Sequence, residues 1–143
     1  MLHHMGTCAT MANFMVSGLL DKYPNLKIGL IESGAGWVPF VIEAMDHQLS
    51  EFRTAENRGL KMKPKEYFSK HFWVSFWFES YAPKHMLEEI GFDRIMFETD
   101  FPHPTSLYPG VQDKLVQVLG GYNYETRKRV LERNAAELYN LPI

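Results

Sequence analysis

The sequence predicts an α/β protein built on a parallel sheet, and three observations carry that expectation. Apolar runs at Leu26 to Ile31, Phe72 to Phe78 and Ile95 to Phe97 have the length and the β-branched or aromatic content of strands. Segments with helical spacing separate them, and strands joined through helices pair in parallel with right-handed crossovers. Two of the runs lead at their C-terminal ends to an acid where a polar loop begins, Glu32 after Ile31 and Asp100 shortly after Phe97.

Met11, Phe14, Met15, Val16, Leu19 and Leu20 recur at helical spacing, and Tyr23-Pro24-Asn25 ends that helix before the first strand. Beyond Gly34 and Gly36, the positions Val38, Val41, Ile42, Met45, Leu49 and Phe52 define a second, longer helix that fades in the polar stretch 53–58. Gly59 to Lys65 reads as a solvated loop leading into a helical turn around Tyr67. Phe72 to Phe78 is apolar on both faces, which suits a central strand covered on both sides. Pro83, Met86, Leu87 and Ile90 make a short helix stopped by Gly91, and Ile95 to Phe97 form the third strand. Helices at Val111 to Leu119 and Tyr124 to Tyr139 complete the chain.

The chain has 143 residues, 45% apolar and 22% charged, as expected of one globular domain rather than a disordered segment. A formal charge of -2 gives no basic footprint for nucleic acid and no polybasic patch for a membrane surface. No apolar run approaches the roughly 20 residues that span a bilayer, and the opening Met-Leu-His-His-Met has no signal-peptide pattern. Cys8 is the single cysteine, so an intrachain disulfide is excluded and a reducing, cytoplasmic setting is expected. His3 and His4 are adjacent, and on an extended chain they point in opposite directions, which disfavours a metal pair. His47 reads as a solvated or packed helix residue, and His71 and His85 as surface or satisfied residues.

Three parallel strands make a small sheet, and a (β/α)8 barrel needs about 250 residues. Under half of such a barrel fits in this chain, so the pattern suggests the C-terminal portion of something larger. Acids at the C-terminal ends of parallel strands sit where barrel chemistry is found. Asp100 is the stronger candidate, as a metal ligand or proton carrier, against the alternative that it caps the loop before Pro102. Glu32 is a candidate acid or base, or else bonds the amides of the Gly34 to Gly36 turn. His103 either lines a pocket or braces its loop, and Trp37 either packs over the mouth of the sheet or touches a substrate ring.

Ser17-Gly18, Tyr23-Pro24, Leu26-Lys27-Ile28 and Glu32-Ser33-Gly34-Ala35-Gly36-Trp37 resemble the amidohydrolase-related (amidohydrolase 2) family, which includes aminocarboxymuconate semialdehyde decarboxylase. Phe97-Glu98-Thr99-Asp100-Phe101-Pro102-His103 is similar to the family's segment after its last barrel strand. Arg133-Asn134-Ala135-Ala136-Glu137-Leu138-Tyr139 is similar to its closing helix. The resemblance implies a metal-dependent TIM barrel of which this chain, as one partial domain over residues 1–143, contributes strands 6 to 8. It implies hydrolysis or nonoxidative decarboxylation of a small organic acid or carbonyl compound. It also implies a divalent metal, zinc in the usual case with manganese as the alternative, to which Asp100 is a ligand.

The chain departs from that pattern in two places. It has no His-x-His pair, and it has Glu32 where many members place a His after the sixth strand. A carboxylate there needs a shifted pKa to replace imidazole near neutral pH. Zinc normally takes at least three protein ligands. A metal held by Asp100 therefore needs a missing N-terminal half or a second copy, and without them the chain is a noncatalytic fragment whose open strand edges associate with a partner.

Overall fold

The computed structural model describes residues 3–51 and 59–143. Its sheet has three parallel strands, β1 (Ile28–Leu30), β2 (Phe72–Phe76) and β3 (Ile95–Phe97), in the order β1-β2-β3. Ile28 pairs with Phe72 and Leu30 with Val74, while Val74 pairs with Ile95 and Phe76 with Phe97. The central strand is the one whose residues are apolar on both faces, and all five are buried. Residue alternation then sorts the sheet into two surfaces.

On one surface Leu30, Phe72, Val74, Phe76 and Ile95 meet the helices. These are α1 (His3–Val16), α3 (Val38–Glu51), α4 (Pro64–His71), α6 (Leu87–Ile90) and α7 (Val111–Leu119), which contribute Met11, Met15, Val38, Ile42, Phe68, Leu87 and Leu119 to the same core. Each fully buried large side chain here stabilises the fold by about 1.5–3 kcal/mol. On the other surface Trp73 and Met96 are covered by Leu138 of α9 (Asn134–Tyr139). Lys27 Nζ donates to the Glu137 carbonyl and to Asn140 Oδ1, which ties the start of β1 to that last helix.

Several elements differ from the expectation. The first helix starts at His3 and stops at Val16, because the Ser17 hydroxyl donates to the Phe14 carbonyl and Gly18 turns left-handed at φ 74°. Leu19 and Leu20 belong to a separate turn, α2 (Leu19–Lys22). Phe52 and residues 53–58, where the second helix was expected to fade, lie outside the described residues. β2 ends at Phe76, opposite the last residue of β3, so Trp77 and Phe78 leave the sheet. The helix expected after Pro83 is two short pieces, α5 (Tyr81–His85) and α6, broken at Met86. The closing segment is α8 (Tyr124–Lys128), a π-turn (Arg129–Arg133) and α9.

His3 and His4 are helical rather than extended. His71 is fully buried: its Nδ1 lies 2.7 Å from the Leu26 carbonyl and its Nε2 has no partner among the described residues. His47 and His85 are exposed. No helix among the described residues is long and apolar enough to cross a membrane.

Candidate functional site

The parallel sheet sends the segments after β1 and β3 to the same rim. Glu32 follows β1 after Ile31, and Asp100 follows β3 after Glu98 and Thr99. Both have left-handed backbones, φ 56° and 59° respectively, a conformation that costs a non-glycine residue about 1–2 kcal/mol. Strain of this kind gathers where a side chain must be aimed at a particular point. Here one ligating atom each from Glu32, Asp100 and His103 lies within 4.8 Å of the others.

The loop after Asp100 supplies its own bracing. Asp100 Oδ2 accepts from the Thr105 hydroxyl at 2.8 Å and lies 3.2 Å from His103 Nδ1, which is itself 2.8 Å from Thr105 Oγ1. The His103 amide donates to the Asp100 carbonyl at 2.8 Å and closes the turn. Asp100 is thereby held beneath His103, with its side chain only 14% exposed.

Beside these groups is a cavity of about 480 Å³ lined by His4, Glu32, Ser33, Trp77, Phe78, His103 and Thr105. The rings of Trp77 and Phe78 meet edge to face at 4.6 Å and form its aromatic wall. Sequence reading assigned both to the strand interior; the signal it lacked was the register, which ends β2 at Phe76. His4, set aside in the sequence, lines the cavity because α1 begins early enough to carry it there. Trp37 packs against the main core instead, and its indole N–H donates to the Ser33 and Gly34 carbonyls at 3.1 and 2.8 Å.

Two acids that sequence reading passed over complete the rim. The Glu32 amide donates to Ser75 Oγ at 3.0 Å and to Glu98 Oε1 at 3.1 Å. Burial pushes the Glu98 carboxyl upward, its bonds from Ser75 and the Glu32 amide pull it down, and the neighbouring charges of Asp100 and Glu32 push it up again. Glu79 Oε1 accepts the amides of Ala35 and Gly36 at 2.9 and 3.3 Å. Glu79 therefore makes the bonds to the glycine turn that the sequence offered as the alternative role of Glu32. Burial raises its carboxyl as well, against the opposing effect of those amides and of Lys114.

Two carboxylates and an imidazole suit a divalent ion of hard or borderline character, zinc and manganese included. The residues present therefore fit such a metal, as three of its ligands.

The chain is similar in sequence and fold to several known proteins. Gamma-resorcylate decarboxylase of Polaromonas sp. is 39% identical over 90 residues, which are 62% of this chain and 27% of that protein. The 2-amino-3-carboxymuconate-6-semialdehyde decarboxylase of Dictyostelium discoideum is 28% identical over 137 residues, 94% of this chain and 37% of that protein. Among solved structures, dihydroxybenzoic acid decarboxylase of Polaromonas sp., with bound manganese and the inhibitor 2-nitroresorcinol, superposes with a TM-score of 0.77 at 28% identity. That match covers 96% of this chain and 41% of the neighbour. An amidohydrolase from Mycobacterium avium subsp. paratuberculosis shares the fold at a TM-score of 0.81 and 23% identity, over 99% of this chain and 34% of its own. The chain thus spans 27% to 37% of the length of these curated relatives. The amidohydrolase family model matches residues 1–141, and with the parallel sheet and its acid-bearing rim this establishes that the chain belongs to the amidohydrolase family.

Proposed function

We propose that this chain forms the part of a metal-dependent decarboxylase site contributed by barrel strands 6 to 8, acting on a small aromatic carboxylic acid. The observation that supports this best is the convergence of Glu32, Asp100 and His103 beside the cavity walled by Trp77 and Phe78. Asp100, Glu32 and His103 would hold the ion, which when bound supplies Lewis-acid polarisation of substrate oxygens. The remaining strands, from a longer chain or a second copy, would complete the coordination.

Nonoxidative decarboxylation breaks the bond between a ring carbon and its carboxylate, releases carbon dioxide, and places one proton on the ring carbon. Asp100 is the assigned proton carrier, held in place by Thr105 and His103. Glu32, on the opposite strand exit, is assigned as the second acid/base group. Trp77 and Phe78 stack against the ring and exclude water from it. His103 faces the substrate from the Asp100 loop, and Trp37 serves by bracing the turn after Glu32.

Titration with Mn2+ and Zn2+ of the chain assembled with the strands that complete the barrel, followed by carbon dioxide release from 2,6-dihydroxybenzoate, tests this. Stoichiometric metal that is lost in Asp100→Ala is the expected result. An assembled, folded protein that takes up neither ion in excess metal rejects the site and favours a noncatalytic association module. Metal uptake with ester or amide hydrolysis in place of carbon dioxide release keeps the site and rejects the reaction.

A further inference from the structure

We propose that Ser75 and Glu98 are positioning residues: from the second and third strands they clip the exit of β1 and hold Glu32 in the left-handed backbone that turns it toward Asp100 and His103. Glu98 is not one of the three converging donors, and its carboxyl lies next to two other carboxyl groups, an arrangement that like charges oppose. What it gains there is directional: Oε1 accepts the Glu32 amide at 3.1 Å, and Ser75 Oγ accepts the same amide at 3.0 Å.

Ser75 is 1% exposed in the middle of an otherwise apolar strand. A buried hydroxyl is unfavourable unless bonded, and here its oxygen accepts the Glu32 amide. Residues 96 and 98 alternate onto the surface of the sheet that carries Trp73, away from the main helix layer, which places the Glu98 side chain beside Ser75. Without the clip, residue 32 relaxes toward the extended backbone that non-glycine residues prefer, and strand alternation then carries its side chain off the rim. The importance of the clip for chemistry rests on the role proposed for Glu32, but the clip itself is measurable without metal.

The test is amide hydrogen exchange in the metal-free chain, read at Glu32, with Val74 as the fold control because its amide bonds the Arg94 carbonyl. Ser75→Ala and Glu98→Ala should each speed exchange at Glu32 by about tenfold with Val74 unchanged, and Glu98→Gln, which keeps an acceptor oxygen, should stay close to wild type. Should Glu98→Ala fail to fold, Ser75→Ala against Glu98→Gln carries the same comparison. Unchanged exchange at Glu32 in the alanine variants overturns the clip, as does a Gln variant no better than Ala. Mn2+ titration of the wild type assembled with the strands that complete the barrel keeps the two ideas apart. A protected Glu32 amide without Mn2+ binding removes the metal site and leaves the clip standing, whereas Mn2+ binding with an unprotected amide does the reverse.

Discussion

Glu32 and Asp100 leave different strands of the sheet with nearly the same left-handed backbone, φ 56° and 59°, and bring their carboxyl groups together with His103 inside 4.8 Å. Neither residue is a glycine, so each carries a conformational cost that its side chain must justify.

Glu32→Gly removes that cost at one position. Relief of the left-handed strain is partly offset by the greater freedom of glycine in the unfolded chain, leaving a net gain of up to about 1 kcal/mol. Urea unfolding should show a variant at least as stable as wild type, while Mn2+ affinity drops by tenfold or more. A clear loss of stability would mean that the Glu32 side chain supports the fold instead.

Gly34 has φ 70°, and a Cβ added there would sit 3.1 Å from the carboxyl carbon and both oxygens of Glu79. Gly34→Ala therefore combines left-handed strain with crowding of the group that holds the Ala35 and Gly36 amides. A loss of about 2 kcal/mol is expected in chemical denaturation. A neutral result would show that the turn has other conformations open to it.

Glu79 also sets a pH dependence. Burial raises its carboxyl in the folded chain, so the folded state takes up the proton at a higher pH than the unfolded state. Its contribution is fully present below the ordinary carboxylate range and is lost as pH rises through the raised value. Glu98 is raised too and acts in the same direction, whereas Lys114 is lowered by burial and matters only on the alkaline side. Glu79→Gln should flatten the fall of the urea midpoint above the carboxylate range without removing it. A profile parallel to wild type would refute the assignment.

Asn134 is fully buried, and its Nδ2 donates to the carbonyls of Phe92 and Ile95 at 2.6 and 2.8 Å. Asn134→Leu is near in size but leaves both carbonyls unpaired, at a cost of about 2–3 kcal/mol. Thermal unfolding of the variant should show the loss, and an unchanged midpoint would mean that water or a shifted helix replaces the amide.

The order of strands and helices was legible because strand and helix leave different periods in the sequence, and the expected strand Phe72 to Phe78 was apolar on both faces, although only Phe72–Phe76 are in the sheet. Helix ends were less legible. Met11 to Leu20 keeps helical spacing, yet the Ser17 hydroxyl bond to Phe14 and the left-handed Gly18 divide it. Asp100, Glu32 and His103 stood out at strand exits, but Ser75 looked like an ordinary strand serine and Glu98 like the penultimate residue of a motif. Their relation to Glu32 spans 43 and 66 residues of sequence, and no local pattern encodes contacts of that separation.

By itself the sequence determined the alternation of strands and helices, the family motifs and the two acids at strand exits, because hydrophobic period and turn chemistry act over a few neighbouring residues. Only the tertiary structure decided that Glu79, not Glu32, bonds the glycine turn, that Trp77 and Phe78 leave the sheet to wall a cavity, and that Trp37 faces the core. Those outcomes depend on register and on which buried polar groups find partners across the fold. Both are settled by the packing of distant segments against one another.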